Sequence, residues 1–309
     1  MTHGDKTITN STSFALSGKV KDYFQLIKFT LSFMVVFSTV VSFLIAPNEQ
    51  FYTRDKIISV LLLFVAGMLI TGSANAINQI LEKTSDGLML RTAKRPVASG
   101  RMSVNEAGIF AFFTGVAGVF MMWKYFNTES AMVSLFSLFL YSFIYTPLKK
   151  VNSISVLVGA IPGALPCLIG WVAAYGDGTI SWPGAWVLFG IQFLWQFPHF
   201  WAIAWLAHKD YEKAGFKLLP ADKGPTRFTA VQSVIYSTLM IPVGFLPFYT
   251  GISGIESMVI LLVCNLWMVY VSVLLLMRMD AKSARRVMFS SYFYLMIVLL
   301  AIFANRVAQ

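Results

Sequence analysis

Charge is what this chain has least of. Only 12% of its 309 residues are Asp, Glu, Lys or Arg, against about a quarter in soluble globular proteins, while 57% come from the apolar and aromatic set. A soluble domain, a disordered chain and a coiled coil are all excluded by that balance. Cysteine is as scarce. Cys167 and Cys264 are the two present, both inside apolar segments, so neither a disulfide framework nor a thiolate metal site is indicated. Acidic residues number 14 against 24 basic ones, a net charge of +10. In a soluble protein that excess would suggest nucleic acid, but the placement of the basic residues decides the question. No small-residue cleavage pattern follows the apolar stretch 29–46, which continues into Pro47-Asn48-Glu49. It reads as a retained first helix rather than a removed signal peptide, and residues 1–28 carry no arginine-rich presequence.

Long apolar runs are what the chain has instead. Segments 29–46, 58–81, 107–125, 130–146, 155–175, 184–206, 229–249, 257–277 and 287–305 each match the roughly 17–25 residues that cross a hydrocarbon core. They predict an all-α polytopic membrane protein of nine transmembrane helices around a central apolar cavity. Residues 1–28 form a leading segment, 29–305 the membrane domain and 306–309 a short tail. With the N-terminus cytoplasmic, all of the 24 basic residues except Arg54, Lys56, Lys124 and Arg306 fall on the cytoplasmic side. The positive-inside rule therefore predicts an N-inside, C-outside chain with an odd number of spans. The charge reports topology, and nucleic acid is not expected as a partner.

The two longest connections, 82–106 and 207–228, follow spans two and six, and this spacing hints at a four-helix repeat with one helix left over. Both lie on the same face of the membrane. In the first, Asn78, Glu82 and Asp86 stand at i, i+4 and i+8, so at about 100° per residue they share one helical face. Like charges one turn apart repel, and a shared cation would offset that repulsion. All-oxygen donors point to Mg²⁺, which is commonly held by carboxylates together with substrate phosphates. Arg91, Lys94 and Arg95 follow, closed by Pro96; arginine forks and a mobile lysine suit phosphate oxygens. The same residues also read as an ordinary basic loop that fixes topology, and spacing alone leaves both readings open.

Span six carries Gln192, Gln196 and His199 at i, i+4 and i+7, with Pro198 among them. Polar groups within a span are costly unless they face partners or a cavity, so this stripe is expected to point inward. Beyond it, Asp210 is a candidate metal ligand, with Glu212 two positions on as a weaker one. Lys209, Lys213 and Lys217 recur every four residues, suited to phosphate or to a wetted face, and Tyr211 could orient a phosphate or line an apolar pocket. Between the two constellations, Gly159 and Gly163 form a small-xxx-small face and Pro162 and Pro166 should bend their span. Tyr145, Lys149 and Lys150 lie at the same level as the charged sites.

Taken together these motifs resemble the protohaem IX farnesyltransferase family of the membrane-embedded UbiA-type prenyltransferase superfamily, over nearly all of the chain from about residue 25. The family's Asn-x-x-x-Asp-x-x-x-Asp-x-x-Met-x-Arg-Thr run is matched by Asn78, Glu82, Asp86, Met89, Arg91 and Thr92. Its aromatic Pro-His-Phe-Trp run is matched by Pro198 to Trp201, and later pairs by Asp210-Tyr211, Ala214-Gly215 and Leu219-Pro220. Tyr145-Thr146, Gly163 to Pro166 and Gly170-Trp171 match as well. Two positions depart: Glu82 stands for the usual first aspartate, and Lys209 stands where relatives often carry another acid.

The resemblance implies transfer of the farnesyl chain of farnesyl diphosphate to a vinyl group of protohaem IX with addition of water, giving haem O. It implies Mg²⁺ on Asn78, Glu82, Asp86 and Asp210. Diphosphate and acceptor contacts would come from Arg91, Lys94, Arg95, Tyr145, Lys149, Lys209, Tyr211 and Lys213, and His199 would meet haem iron or a propionate. A bacterial cytoplasmic membrane, surrounding lipid and a haem-oxidising or oxidase-assembly partner belong to the same expectation. Competing readings are a UbiA-type enzyme acting on an aromatic, quinone-precursor or chlorin acceptor, a transporter, and a structural subunit.

Overall fold

The computed structural model describes residues 18–47, 53–176, 178–220 and 224–307. Glu49 and Asp177, in connections expected on the far side, lie outside these residues. The described residues are helical almost throughout, in the order α1 (Gly18–Leu26), α2 (Phe29–Ile45), α3 (Thr53–Leu81), α4 (Lys83–Leu88), α5 (Val104–Tyr125) and α6 (Thr128–Phe139). A π-helical turn (Leu140–Tyr145), α7 (Thr146–Leu148), α8 (Ser155–Ala173), α9 (Trp182–Leu206) and α10 (His208–Lys213) follow. The chain ends in α11 (Arg227–Tyr249), α12 (Ile255–Arg278) and α13 (Ala281–Ala304). Eight helices or joined helices are long and apolar enough to cross a membrane, and α1 with α2, bent by 49°, makes a ninth. The nine expected runs correspond to these one for one. The last begins earlier than its apolar run suggested, because Asp280 caps α13 by accepting from the Ser283 amide at 2.7 Å.

The bundle is the reverse of a soluble protein in section. Along α5 the inward positions are Ala107, Ala111, Gly115, Gly118 and Met122, packed on α3, whereas Phe112, Phe113, Val116 and Phe120 are exposed. Lipid is as apolar as leucine, so helix association depends on close approach of small residues rather than on hiding large ones. Helix α8 is the innermost, packed between α2 and α9 and buried along most of its length. The expected glycine face is used on two sides: a Cβ at Gly159 would strike the Tyr145 ring, and one at Gly163 the Gln196 amide. Gly170 meets backbone: a Cβ there would strike the Thr39 carbonyl oxygen of α2. Gly170→Ala should therefore cost about 1–3 kcal/mol, read as a lower thermal unfolding midpoint in detergent; an unchanged midpoint would show that α2 and α8 are loosely joined.

Helix α8 receives side-chain donors from both α6 and α9. Pro166 has no N–H for the Pro162 carbonyl, and the Ser137 hydroxyl donates to that oxygen instead at 3.4 Å. Gln192 donates to the Gly163 carbonyl at 2.9 Å and Gln196 to that of Ala160 at 3.0 Å. The stripe faces inward, as expected, and its amides are bonded to neighbouring backbone.

Candidate functional site

The bend between α1 and α2 is the first part of the site. It breaks the i to i+4 ladder at the end of α1, and α3 adds donors to the carbonyls there from across the bundle. Gln79 donates to the Gln25 and Leu26 carbonyls, each at 3.0 Å, and Asn75 donates to that of Ile27 at 3.1 Å. Lys28 sits at the bend in the left-handed region, with φ 48°. Its ammonium donates to Asn78 Oδ1 at 2.6 Å. Asn78 is fully buried, and its amide donates in turn to Thr146 Oγ1 at 3.3 Å.

Asn78, Glu82 and Asp86 do not share one unbroken helix. Helix α3 ends at Leu81 and α4 begins at Lys83, with Glu82 between them at φ −95° and ψ 7°. The i to i+4 pattern nevertheless survives, because the Glu82 amide donates to the Asn78 carbonyl at 2.9 Å and the Asp86 amide to that of Glu82 at 2.7 Å. The three side chains remain neighbours and all three are buried.

Each carboxylate has its own cation. Lys149 Nζ lies 2.8 Å from Glu82 Oε1, and Arg95 Nη1 donates to both oxygens of Asp86 at 2.8 and 2.7 Å. Burial pushes the Glu82 carboxyl up, but the Lys149 and Lys28 charges outweigh it and hold the group below its usual range. Burial pulls the Lys149 ammonium down, and Glu82 reverses that, leaving it raised. The pair is thus charged at neutral pH. Lys149 also lies 4.4 Å from the Tyr145 ring centroid, a cation–π contact.

The second loop closes over the first. Met89 packs with Ala214 and Phe216 in one small buried cluster, flanked by Tyr211 and Leu218. Arg91 donates to the Tyr211 hydroxyl at 3.3 Å, Phe216 lies 5.9 Å from Lys149 Nζ, and the Lys217 amide donates to the Lys149 carbonyl at 2.7 Å. A cavity of about 380 Å³ opens here, lined by His208, Tyr211, Glu212, Phe216 and Lys217. Lys94, Lys209 and Lys213 are exposed, and Asp210 is half-buried on α10.

Among the described residues no three His, Cys, Asp or Glu side chains are grouped closely enough to hold a metal by themselves. Asp210 is thus not gathered with Glu82 and Asp86. The buried donors Asn78, Glu82 and Asp86 are all oxygen and suit a hard cation, provided that Lys149 and Arg95 turn from carboxylate to an incoming anion. His199 is placed elsewhere. Its Nδ1 is 2.8 Å from Ser291 Oγ of α13, and its ring stacks on Trp195 at 4.8 Å and meets Tyr292 edge-on. Lys28 is the site neighbour that sequence reading passed over. It is 50 residues from its partner, and the one signal available was a lysine abutting the first apolar run.

The chain matches the family model described as the UbiA prenyltransferase family over residues 35–298. It is 42% identical over 293 residues to the protoheme IX farnesyltransferase of Cytophaga hutchinsonii, covering 94% of this chain and 100% of that protein. It is 40% identical to the protein of the same name from Flavobacterium psychrophilum, covering 90% and 91% of the two chains. Among solved structures it is similar to a digeranylgeranylglyceryl phosphate synthase, with TM-score 0.75 and 21% identity over 93% of this chain and 98% of that one. A UbiA homolog from Archaeoglobus fulgidus bound to GPP and Mg²⁺ superposes with TM-score 0.63 and 15% identity, over 91% and 99%. These structural likenesses show the fold.

Proposed function

The chain belongs to the UbiA prenyltransferase family, and from that premise we propose that it joins the farnesyl group of farnesyl diphosphate to a vinyl carbon of protohaem IX, forming haem O. The observation that carries this reading is the meeting of the two loops, Met89 and Arg91 against Tyr211 and Phe216, over two buried carboxylates paired with two cations. A transporter site has no need of that diphosphate-sized concentration of opposed charge. Identity across nearly the full length of proteins named protoheme IX farnesyltransferase favours a haem acceptor over an aromatic acid, quinone precursor or chlorin.

Asn78, Glu82 and Asp86 would hold Mg²⁺, which neutralises diphosphate charge when bound, while Asp210 stands apart from them on α10. Arg91, Lys94, Arg95, Lys149, Lys209 and Lys213 bind the phosphate oxygens, and Lys28 fixes the Asn78 amide in place. The C1–O bond of farnesyl diphosphate breaks with its electron pair leaving on diphosphate. The vinyl π pair of protohaem attacks C1, and water captures the carbocation beside the porphyrin with loss of one proton. Tyr145, Tyr211 and Phe216 wall the allylic cation from early capture by water. His199, bonded to Ser291, positions the α9 aromatics toward the acceptor. The test is product mass after incubation with protohaem, farnesyl diphosphate and Mg²⁺: haem O is expected, and a prenylated quinone precursor formed in preference would replace this acceptor.

The membrane domain expected at 29–305, between a leading segment 1–28 and a tail 306–309, takes in α1 and Lys28 as well; it lies in a bacterial cytoplasmic membrane, and an enzyme that oxidises haem O further receives the product. The N-terminus, the loops bearing Arg95, Lys150 and Lys217, and the turn at Met279 and Asp280 face the cytoplasm. Cysteine placed beside Arg95 or Lys217 should react with an impermeant maleimide only from that side, and cysteine beside Lys124 only from the other. Labelling of all three from one side would overturn this topology.

A further inference from the structure

Away from the diphosphate site, a groove of about 580 Å³ opens between α12 and α13, towards the end where Met279 and Asp280 join them. Its mouth carries Lys282, Arg285 and Arg286; its inner walls carry Trp267, Tyr270 and Phe289. All six are exposed. The ion pairs among the described residues engage Lys19, Arg95, Arg101 and Lys149, and none of the three cations at this mouth. The nearest acid in sequence, Asp280, caps α13 by accepting from the Ser283 amide, and it also lies within electrostatic reach of Arg278 and Arg286. Trp267 donates its indole N–H to Ser290 Oγ at 3.0 Å, which fixes the ring across the floor.

Topology alone would account for basic residues at a cytoplasmic helix end, but not for a groove that grades from three cations outside any salt bridge into three exposed aromatic rings. That grading follows the polarity of a lipid molecule. We propose that this groove binds one anionic phospholipid, its headgroup phosphate on Lys282, Arg285 and Arg286 and an acyl chain along Trp267, Tyr270 and Phe289. Charge complementarity selects an anionic lipid over a zwitterionic one, and the aromatic floor selects a lipid over a free phosphate. The guanidinium forks engage the phosphate oxygens in pairs, while the lysine adds a mobile charge.

Native mass spectrometry of the purified full chain tests this with phosphatidylglycerol and phosphatidylcholine of identical acyl chains. Wild-type protein should retain phosphatidylglycerol with about tenfold or greater preference. The triple variant Lys282→Gln, Arg285→Gln, Arg286→Gln should lose that preference, whereas Lys21→Gln, Lys83→Gln, Arg227→Gln, which removes equal charge elsewhere, should keep it. Preference retained by the first variant, or lost equally by both, overturns the site. Glycerol phosphate competing as well as the intact lipid would make it a soluble-anion site and overturn the lipid assignment. An arm independent of the triple variant's folding uses phosphatidylglycerol brominated on its acyl chains. Quenching of tryptophan fluorescence should be strong in wild type and weaker in Trp267→Phe, and equal quenching in both would sink the proposal.

Discussion

Asp86→Asn is expected to lower prenyl transfer and diphosphate release by about a hundredfold or more, the scale seen when one preorganised electrostatic contact to a developing charge is removed. The side chain is fully buried and both of its oxygens are engaged by Arg95, so the change is nearly isosteric and its consequence is electrical. Asparagine offers one weak oxygen where a cation needs a carboxylate, and it cannot balance the guanidinium that is to be handed to diphosphate. A purely structural role gives a different result. Arg95 keeps partial solvent access and would still find one acceptor in asparagine, so activity would remain near normal once folded protein was equalised. Turnover across a Mg²⁺ titration, normalised to monodisperse protein, decides the matter, and near-wild-type turnover at saturating Mg²⁺ would remove Asp86 from the chemistry.

Glu82 gives the second large effect, and it separates charge from reach. Glu82→Gln leaves the Lys149 ammonium, raised and buried, without its counter-charge. Breaking one half of a buried pair costs about 3–5 kcal/mol, so a lower thermal midpoint should accompany a loss of activity. Glu82→Asp keeps the charge while shortening the reach by one methylene, and it should retain appreciable activity at a shifted Mg²⁺ optimum. Should both variants lose stability alike yet transfer farnesyl at wild-type rates with unchanged Mg²⁺ dependence, Glu82 would be a structural partner of Lys149 and nothing more. The sign with pH follows from the depressed carboxyl: the pair's contribution is fully present above the ordinary carboxylate range and fades as pH falls through the lower folded value.

The bundle was legible because a hydrocarbon solvent leaves few solutions. Apolar runs of spanning length, with Lys and Arg between alternate pairs, predict the helices seen, and a backbone with no water to bond must satisfy itself within each helix. The first carboxylate face was legible for a related reason. Helical periodicity is local, and it persists through Glu82 because the backbone bonds on either side of the break continue the same register. The inward direction of Gln192 and Gln196 was readable as well. Their partners were not, since the carbonyls they bind belong to Gly163 and Ala160 on another helix.

Sequence by itself therefore determined the number of spans, the spacing of Asn78, Glu82 and Asp86, and the concentration of basic residues on one side, all of which depend on neighbours within a few turns. Tertiary structure decided which side chains meet. Lys28 reaches Asn78 across 50 residues, Lys149 reaches Glu82 across 67, and Arg91 reaches Tyr211 across 120. It also carried His199 to Ser291 on the last helix and left Asp210 out of the carboxylate group. Such pairings depend on how α1 bends, on how closely α8 approaches α2, and on how the loop after α9 folds over the loop after α3. Packing of small residues between distant helices sets those quantities, and no local period in the chain records them.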